Sequence, residues 1–158
     1  MIAKSAADLI NKQKEHFLIS ADQVANVFEK NHLDHAFLVL TKIGYSKIPV
    51  LDKDQHFKGL ISLSMITESM LGLNGIDPSN LSQRQVCEVM QKDVPVITDN
   101  DSLEEVLHLL VDQPFLVVVD SENIFKGIIT RRELMKAINY MVHELDKKYE
   151  VNLRENLS

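Results

Sequence analysis

The segment PVLDKDQHFKGLIS, residues 49–62, returns 68 positions later as VVVDSENIFKGIIT, residues 117–130. The two segments align without a gap and share six identical positions. These positions are Val50, Asp52, Phe57, Lys58, Gly59 and Ile61 in the first segment and Val118, Asp120, Phe125, Lys126, Gly127 and Ile129 in the second. Self-similarity at one fixed spacing indicates a duplicated structural unit.

The duplication extends upstream of these segments at an offset of 70. VANV (24–27) aligns with VPVI (94–97), and LDHAFLVL (33–40) aligns with LEEVLHLL (103–110). The change of two residues between the offsets falls in a connection, where differences in length are tolerated. The chain is therefore interpreted as two copies of one unit.

Each copy is predicted to have the order strand, helix, strand, strand, helix. In the second copy Ser102 is the expected N-cap of the first helix, with Glu104 and Glu105 in its first turn, where the helix dipole favours acids. Residues at helical spacing predict the buried stripe of this helix. They are Leu103, Val106, Leu107 and Leu110. The apolar run FLVVV is typical of a strand covered on both faces.

These patterns predict a mixed α/β (α+β) fold built from two β-α-β-β-α repeats. We expect an N-terminal helix over residues 1–17, with Ala6, Leu9, Ile10 and Phe17 as its apolar face. The predicted segments that follow are a first repeat (18–71), a linker (72–87), a second repeat (88–145) and a charged tail that frays (146–158). Glycine and proline in the linker favour irregular structure there.

Composition narrows the classes of function. The chain has 158 residues and a formal net charge of −6, which argues against nucleic acid and acidic membranes as partners. A single cysteine, Cys87, excludes a disulfide within the chain and favours a reducing compartment, and a small core residue is its expected role. Neither a signal peptide nor a transmembrane run is apparent, so a cytoplasmic protein is expected.

Other candidate residues point to structural roles. His32 and His35 lack the thiols or carboxylates that would complete a metal site, so no metal is expected. Asp52 and Asp120 follow strands and are predicted to be turn residues. No nucleophile, acid or base constellation is visible, and the protein is not expected to be an enzyme.

The stretch FKGIITRREL, residues 125–134, carries the main candidate site. Thr130 precedes a predicted helix, whose first backbone N–H groups are unpaired and suit a phosphate. Arg131 and Arg132 add donors matched to phosphate oxygens, and adjacent helical residues project about 100° apart. They would therefore serve two phosphates, or one phosphate and a base face. The competing interpretation is a capping box between Thr130 and Glu133.

These tandem segments resemble a pair of CBS domains, a family named after cystathionine β-synthase. The resemblance covers residues 18–145 and implies two repeats packed as a pseudo-twofold disc, with an adenine nucleotide in the cleft between them. ADQVA (21–25), LVLTKIGYSKIPVLD (38–52) and GIITRR (127–132) are similar to small stand-alone bacterial CBS proteins that bind cyclic di-AMP. This implies a second-messenger receptor that controls a protein partner, with a (p)ppGpp synthetase/hydrolase as the candidate, and no cofactor.

The resemblance also implies a set of ligand-binding residues from both copies. They are Gln23, Val24, Ala25, Val27, Tyr45, Ser46, Lys47, Ile48, Pro49, Thr130, Arg131, Arg132 and Glu133. A basic residue is common in the closer group where Gln23 stands, which is a departure from the pattern. At the position of the arginines, the first copy has Leu63 and Ser64.

Two alternatives stay open from the sequence. The first is a module that senses AMP, ADP or ATP. The second is a ligand-free dimeric interaction module. A homodimer is expected, because CBS pairs often dimerise through their final helices. The apolar stripe of the last helix serves either that interface or packing within the chain, and it comprises Leu134, Ile138, Met141 and Leu145.

Overall fold

The structure is a computed structural model, and it describes residues 1–154. Its α-helices are α1 (Lys4–Asn11), α2 (Lys14–Phe17), α3 (Leu33–Ile43), α4 (Leu63–Met70), α5 (Asn80–Gln83), α6 (Leu103–Asp112) and α7 (Arg131–Lys148). Its β-strands are β1 (Leu18–Ser20), β2 (Val27–Phe28), β3 (Lys47–Leu51), β4 (Phe57–Ser62), β5 (Leu71–Gly72), β6 (Gly75–Ile76), β7 (Val96–Ile97), β8 (Phe115–Val119) and β9 (Phe125–Thr130). The series β2-α3-β3-β4-α4 and β7-α6-β8-β9-α7 confirm the predicted order in both copies.

The strands of each copy form a sheet. In the first copy the order is β2-β3-β4, with β2 parallel to β3 and β3 antiparallel to β4. The strands of the second copy form a sheet together with β1, in the order β1-β9-β8-β7, with β7 parallel to β8. Strand β1 was not predicted, because its three residues are too few to show a period. Strands β5 and β6 form a separate hairpin within the predicted linker.

The first strand of each copy is shorter than the four residues predicted. In the first copy the side-chain amide of Asn26 donates to the carbonyl of Val24 at 3.1 Å, so this backbone acceptor is used locally. In the second copy Pro95 has no N–H to donate, and the strand begins only at Val96.

The chain forms two compact units. Unit 1 comprises residues 1–19, 100–116 and 128–154, whereas unit 2 comprises Ser20–Asp99 and Val117–Gly127. The division does not follow the duplication, because the second copy contributes its central hairpin to unit 2.

Unit 1 contains α1, α2, α6 and α7, and α1 and α2 pack against α7. The predicted N-terminal apolar face is confirmed in part, since Leu9, Ile10 and Phe17 are buried. Helix α6 begins as predicted at Ser102, whose hydroxyl accepts a hydrogen bond from the Glu105 N–H while the Glu105 carboxylate accepts from the Ser102 N–H.

The apolar stripe of α7 has an intrachain partner. Helices α1 and α2 pack against α7, which favours the interpretation that the stripe packs within the chain. Leu134 is buried, and Ile138, Met141 and Leu145 are partly buried. Helix α7 runs to Lys148, into the segment expected to fray, and residues 155–158 of the predicted tail lie outside the described residues.

Unit 2 has an apolar core built around β3, β4 and α3. The core also takes side chains from the predicted linker and its neighbours, which are therefore part of the packed structure. They are Leu81, Val86 and Met90. Cys87 packs against this core and is partly buried, in keeping with its predicted role.

The two hairpin turns of the duplicated segments contact each other within unit 2. The Phe57 N–H donates to the Asn123 carbonyl at 3.0 Å, and the Phe125 N–H donates to the Gln55 carbonyl at 2.9 Å. Phe125 and Asn123 are the counterparts of Phe57 and Gln55 at the offset of 68, so the two bonds are equivalent and relate the turns by an approximate twofold axis. Within residues 1–154, no helix has the length and apolar character needed to cross a membrane.

Candidate functional site

Nine of the thirteen predicted ligand-binding residues lie in unit 2, where they precede or begin two neighbouring strands. Val27 in β2 is paired with Val50 in β3, and the pair is parallel. The chain segments that lead into both strands therefore enter this sheet at the same edge. The structure thus brings residues 23–27 and 45–49 together at the edge where the parallel strands begin.

The first of these segments has little side-chain bulk at its centre. Gln23 is exposed, Val24 is buried, and Ala25 is partly buried between them and β2. The methyl group of Ala25 is the smallest side chain of the three. Val27 is fully buried in the core, so only its backbone is available to a ligand.

The second segment connects α3 to β3. Gly44 ends α3 in the left-handed conformation, with φ of 70°. Tyr45 and Ser46 follow and are exposed, and Tyr45 presents 58% of its surface. Ile48 and Pro49 are buried, which restricts them to backbone contacts. This leaves the tyrosine ring and the serine hydroxyl as the accessible groups of the segment.

Lys47, at the start of β3, is held by a residue that sequence reasoning missed. Its ammonium donates to the side-chain carbonyl of Gln91 at 3.2 Å. Gln91 also forms two backbone hydrogen bonds with Leu60 in β4, which fix its position. No local pattern indicates this contact, because the two residues are 44 positions apart.

The remaining four predicted residues lie in unit 1 at the start of α7. Thr130 is the N-cap, and its hydroxyl accepts a hydrogen bond from the Glu133 N–H at 3.2 Å. The carboxylate of Glu133 pairs with Lys136 at 2.8 Å and does not reach back to the cap. The capping box is therefore only half formed, and a structural cap does not account for Glu133.

The two arginines differ in their surroundings. Nε of Arg131 donates to the carbonyl of Leu110 at 2.9 Å, and Nη2 donates to the carbonyls of Val111 and Gln113, each at 3.1 Å. Arg132 is exposed, and no described residue accepts a hydrogen bond from its guanidinium. The sequence signal connected with the Arg131 contacts is the lack of a glycine at the end of α6. This signal alone does not identify the arginine.

One cluster of potential metal-ligating groups occurs in the described residues, in the first hairpin turn. Side-chain atoms of Asp52, Asp54 and His56 lie within 4.8 Å of one another. Oδ1 of Asp52 accepts the N–H groups of Asp54 and His56, both at 2.9 Å, so this carboxylate shapes the turn.

Asp120 repeats the arrangement of Asp52 in the second hairpin. It accepts from the N–H groups of Glu122 and Ile124, both at 2.9 Å. The prediction that both aspartates are turn residues is confirmed. Partial burial raises the pKa of Asp52, but the hydrogen bonds from His56 and Asp54 outweigh burial and hold it below its usual value.

A duplicated small α/β module with candidate ligand residues at strand entrances and a helix start defines the class of protein. In a comparison with known protein families, residues 19–72 and 86–140 match the CBS domain. The chain therefore belongs to the CBS-domain family, and the predicted tandem arrangement is confirmed.

Known relatives include proteins of the closer group that the sequence resembles. Cyclic di-AMP receptor B of Bacillus subtilis is 40% identical over 147 residues, which cover 93% of this chain and all of the relative. The CbpB protein of Listeria monocytogenes, solved in complex with c-di-AMP, is 50% identical with a TM-score of 0.77, over 83% of this chain and 98% of that one. CbpB from Streptococcus agalactiae is 31% identical with a TM-score of 0.88, over 97% and 96% of the two chains.

Proposed function

We propose that this protein is a non-enzymatic regulatory receptor that binds cyclic di-AMP. The observation that carries the proposal is the exposed guanidinium of Arg132 in the first turn of α7. A cation opposes the helix dipole at that position and costs a few tenths of a kcal/mol, so a purely structural helix start favours an acid there. Similarity to relatives named for c-di-AMP, over nearly the whole chain, supports this ligand.

The predicted residues match the chemistry of a cyclic dinucleotide. Such a ligand carries two phosphodiesters and two purines. The guanidinium of Arg132 and the hydroxyl of the Thr130 cap suit a phosphate. In unit 2, the small Ala25 admits a purine, and the exposed Tyr45 ring is available for stacking. Ser46 adds a hydroxyl, and residues 23, 24, 27 and 47–49 would contribute mainly their backbone.

Regulation would work by differential binding. A protein partner that recognises only the free form is released when ligand binds, and the coupling is reciprocal. We propose a homodimer as the functional form, and a (p)ppGpp synthetase/hydrolase as the candidate partner. Both proposals follow from the resemblance. Sedimentation analysis tests the homodimer, and pull-down experiments with and without nucleotide test the protein partner.

Titration calorimetry tests the ligand directly. We expect cyclic di-AMP to bind with a micromolar or lower Kd, and AMP and ATP to give no saturable heat. Arg132→Ala should weaken binding by at least tenfold, because a charge-assisted hydrogen bond contributes about 1.5 to 3 kcal/mol. Lys147→Ala is the matched control, since it removes the same charge from the far end of the same helix.

The rival functions give different results in the same experiment. Saturable binding of AMP or ATP with comparable affinity would indicate an adenine-nucleotide sensor instead. Absence of heat with every nucleotide, at millimolar concentration, would contradict the receptor and leave the ligand-free interaction module.

A further inference from the structure

The C-terminus of α6 depends on a residue from outside the helix. The last carbonyls of an α-helix have no partner within it and carry the negative end of the helix dipole. In α6 the last turn contains no basic residue, and the residue that follows, Gln113, is extended, with φ of −110°. The guanidinium of Arg131 binds two of these acceptors, the carbonyls of Leu110 and Val111, and also the carbonyl of Gln113.

In the first copy, the corresponding helix α3 ends with a glycine cap. Helix α3 ends at Gly44, which adopts φ of 70° and donates its N–H to the Leu40 carbonyl at 3.1 Å. The connection that follows Leu110 in the second copy is two residues shorter and has no glycine. The position of Arg131 in the first copy is Leu63, which has no side-chain donor. The copy without a glycine cap is thus the copy that has the arginine.

The last helix of each copy begins with an equivalent backbone hydrogen bond. The Arg131 N–H donates to the Pro114 carbonyl at 3.0 Å, and the Leu63 N–H donates to the Ser46 carbonyl at 3.3 Å. Helix α7 is therefore joined to the end of α6 by the main chain in any case. The side chain of Arg131 adds three further bonds and restricts the first turn of α7 more than that of α4.

We propose that Arg131 is a positioning residue, which fastens the start of α7 to the end of α6 and so fixes Thr130 and Arg132 for the ligand. This inference rests on the proposed function. A guanidinium has five N–H groups, and the contacts to α6 use those on Nε and Nη2. Bidentate binding of a phosphate through Nε and Nη2 would require these bonds to break, whereas Arg132 has no such competition.

The experiment compares four variants with the wild type: Arg131→Ala, Arg131→Gln, Arg132→Ala and Lys147→Ala. Glutamine keeps a side-chain N–H donor for the α6 carbonyls and removes the charge. In the ligand-free protein, Arg131→Ala should lower the Tm. It should also accelerate hydrogen exchange of the backbone N–H of Gln113, which donates to the Leu109 carbonyl. Arg131→Gln should recover part of both losses, whereas Arg132→Ala and Lys147→Ala should leave the exchange at Gln113 unchanged.

Calorimetry with cyclic di-AMP at two salt concentrations supplies the second readout. Arg131→Ala should raise the Kd severalfold without altering its salt dependence, and Arg131→Gln should restore part of the affinity. Arg132→Ala should raise the Kd at least tenfold and weaken the salt dependence, because a charge next to the phosphates is lost. Lys147→Ala should bind like the wild type.

Two results would overturn the inference. One is unchanged hydrogen exchange at Gln113 in Arg131→Ala. The other is a glutamine variant that binds as weakly as the alanine variant with a reduced salt dependence, which would identify Arg131 as a phosphate ligand. Failure of the wild type to bind cyclic di-AMP is a separate outcome. It would refute the proposed receptor and the ligand-related part of the inference, while hydrogen exchange would still decide the contact between α6 and α7.

Discussion

At the scale of single residues, Gly59 in β4 has no room for a side chain. A Cβ atom there would lie 2.4 Å from the carbonyl oxygen of Gln91, which is backbone and is held by hydrogen bonds to Leu60. We expect Gly59→Ala to lower the free energy of unfolding by about 1 to 3 kcal/mol, the usual cost of overpacking. Urea denaturation measures it. The control is Gly72→Ala, whose nearest neighbour would be 3.8 Å away, and equal losses in both variants would contradict the argument.

Asp120 makes the stability depend on pH. Hydrogen bonding from the Ile124 N–H, with smaller contributions from Glu122 and Lys126, holds the pKa of Asp120 below its usual value despite partial burial. The unfolded state therefore binds a proton more readily than the native state. The stabilisation is complete above the unfolded pKa and is lost as the pH falls through the lower native pKa.

Thermal unfolding between pH 6 and pH 2 checks this dependence. The Tm of the wild type should fall as the pH drops below about 4, and Asp120→Asn should reduce that fall while lowering the Tm at pH 6. Asp93→Asn, at an exposed position outside the hairpin turns, should retain the wild-type profile. An Asp120→Asn variant with the same steep acid dependence as the wild type would refute the assignment.

At the scale of elements, the end of α3 depends on the conformation of Gly44. The position is open, because no atom lies within 4 Å of a Cβ built there, and the cost of a side chain is therefore conformational. A left-handed alanine costs roughly 1 to 2 kcal/mol, whereas asparagine tolerates this conformation better. We expect Gly44→Ala to lower the free energy of unfolding by about that amount and Gly44→Asn by less. Equal destabilisation by both would indicate a steric cause instead.

Local elements were predictable from sequence where their causes are local. Ser102 and Glu105 satisfy each other within one turn of α6, so a short pattern was sufficient to identify this helix start. The duplicated hairpins were predictable because each Asp accepts from N–H groups two and four residues ahead. The same locality made Thr130 recognisable as a cap.

Other features depend on contacts between distant residues, and sequence patterns did not reveal them. The Arg131 guanidinium binds carbonyls 18 to 21 residues away, and the sequence did not indicate this contact. Both arginines were therefore predicted to contact the ligand, either at two phosphates or at one phosphate and a base face. The linker was expected to be irregular from its glycines, yet Leu81 contributes to the core of unit 2. At the candidate site, the residue types could be read from the sequence. The different hydrogen bonding of Arg131 and Arg132 became apparent only in the structure.

At the scale of the whole molecule, the two copies do not form two independent units. Unit 2 combines Ser20–Asp99 with Val117–Gly127, and so it includes the hairpin of the second copy. Two reciprocal backbone hydrogen bonds join the hairpin turns of the two copies. The side-chain amide of Asn123 donates a further hydrogen bond to the Phe57 carbonyl at 2.9 Å. Neither copy can keep all of its contacts when the other unfolds.

We therefore expect a single cooperative unfolding transition despite the duplication. In differential scanning calorimetry the calorimetric and van't Hoff enthalpies should agree, as they do for a two-state protein. Asn123→Ala removes the side-chain bond between the hairpins and leaves their backbone bonds in place. It should lower the Tm but keep one transition, since it removes one hydrogen bond, at about 1 kcal/mol, and places an alanine in the left-handed conformation of Asn123, with φ of 63°, at a further cost of roughly 1 to 2 kcal/mol. Two resolved transitions in the wild type, or a calorimetric enthalpy well above the van't Hoff value, would show that the two copies unfold separately and that the contact between their hairpins does not couple them.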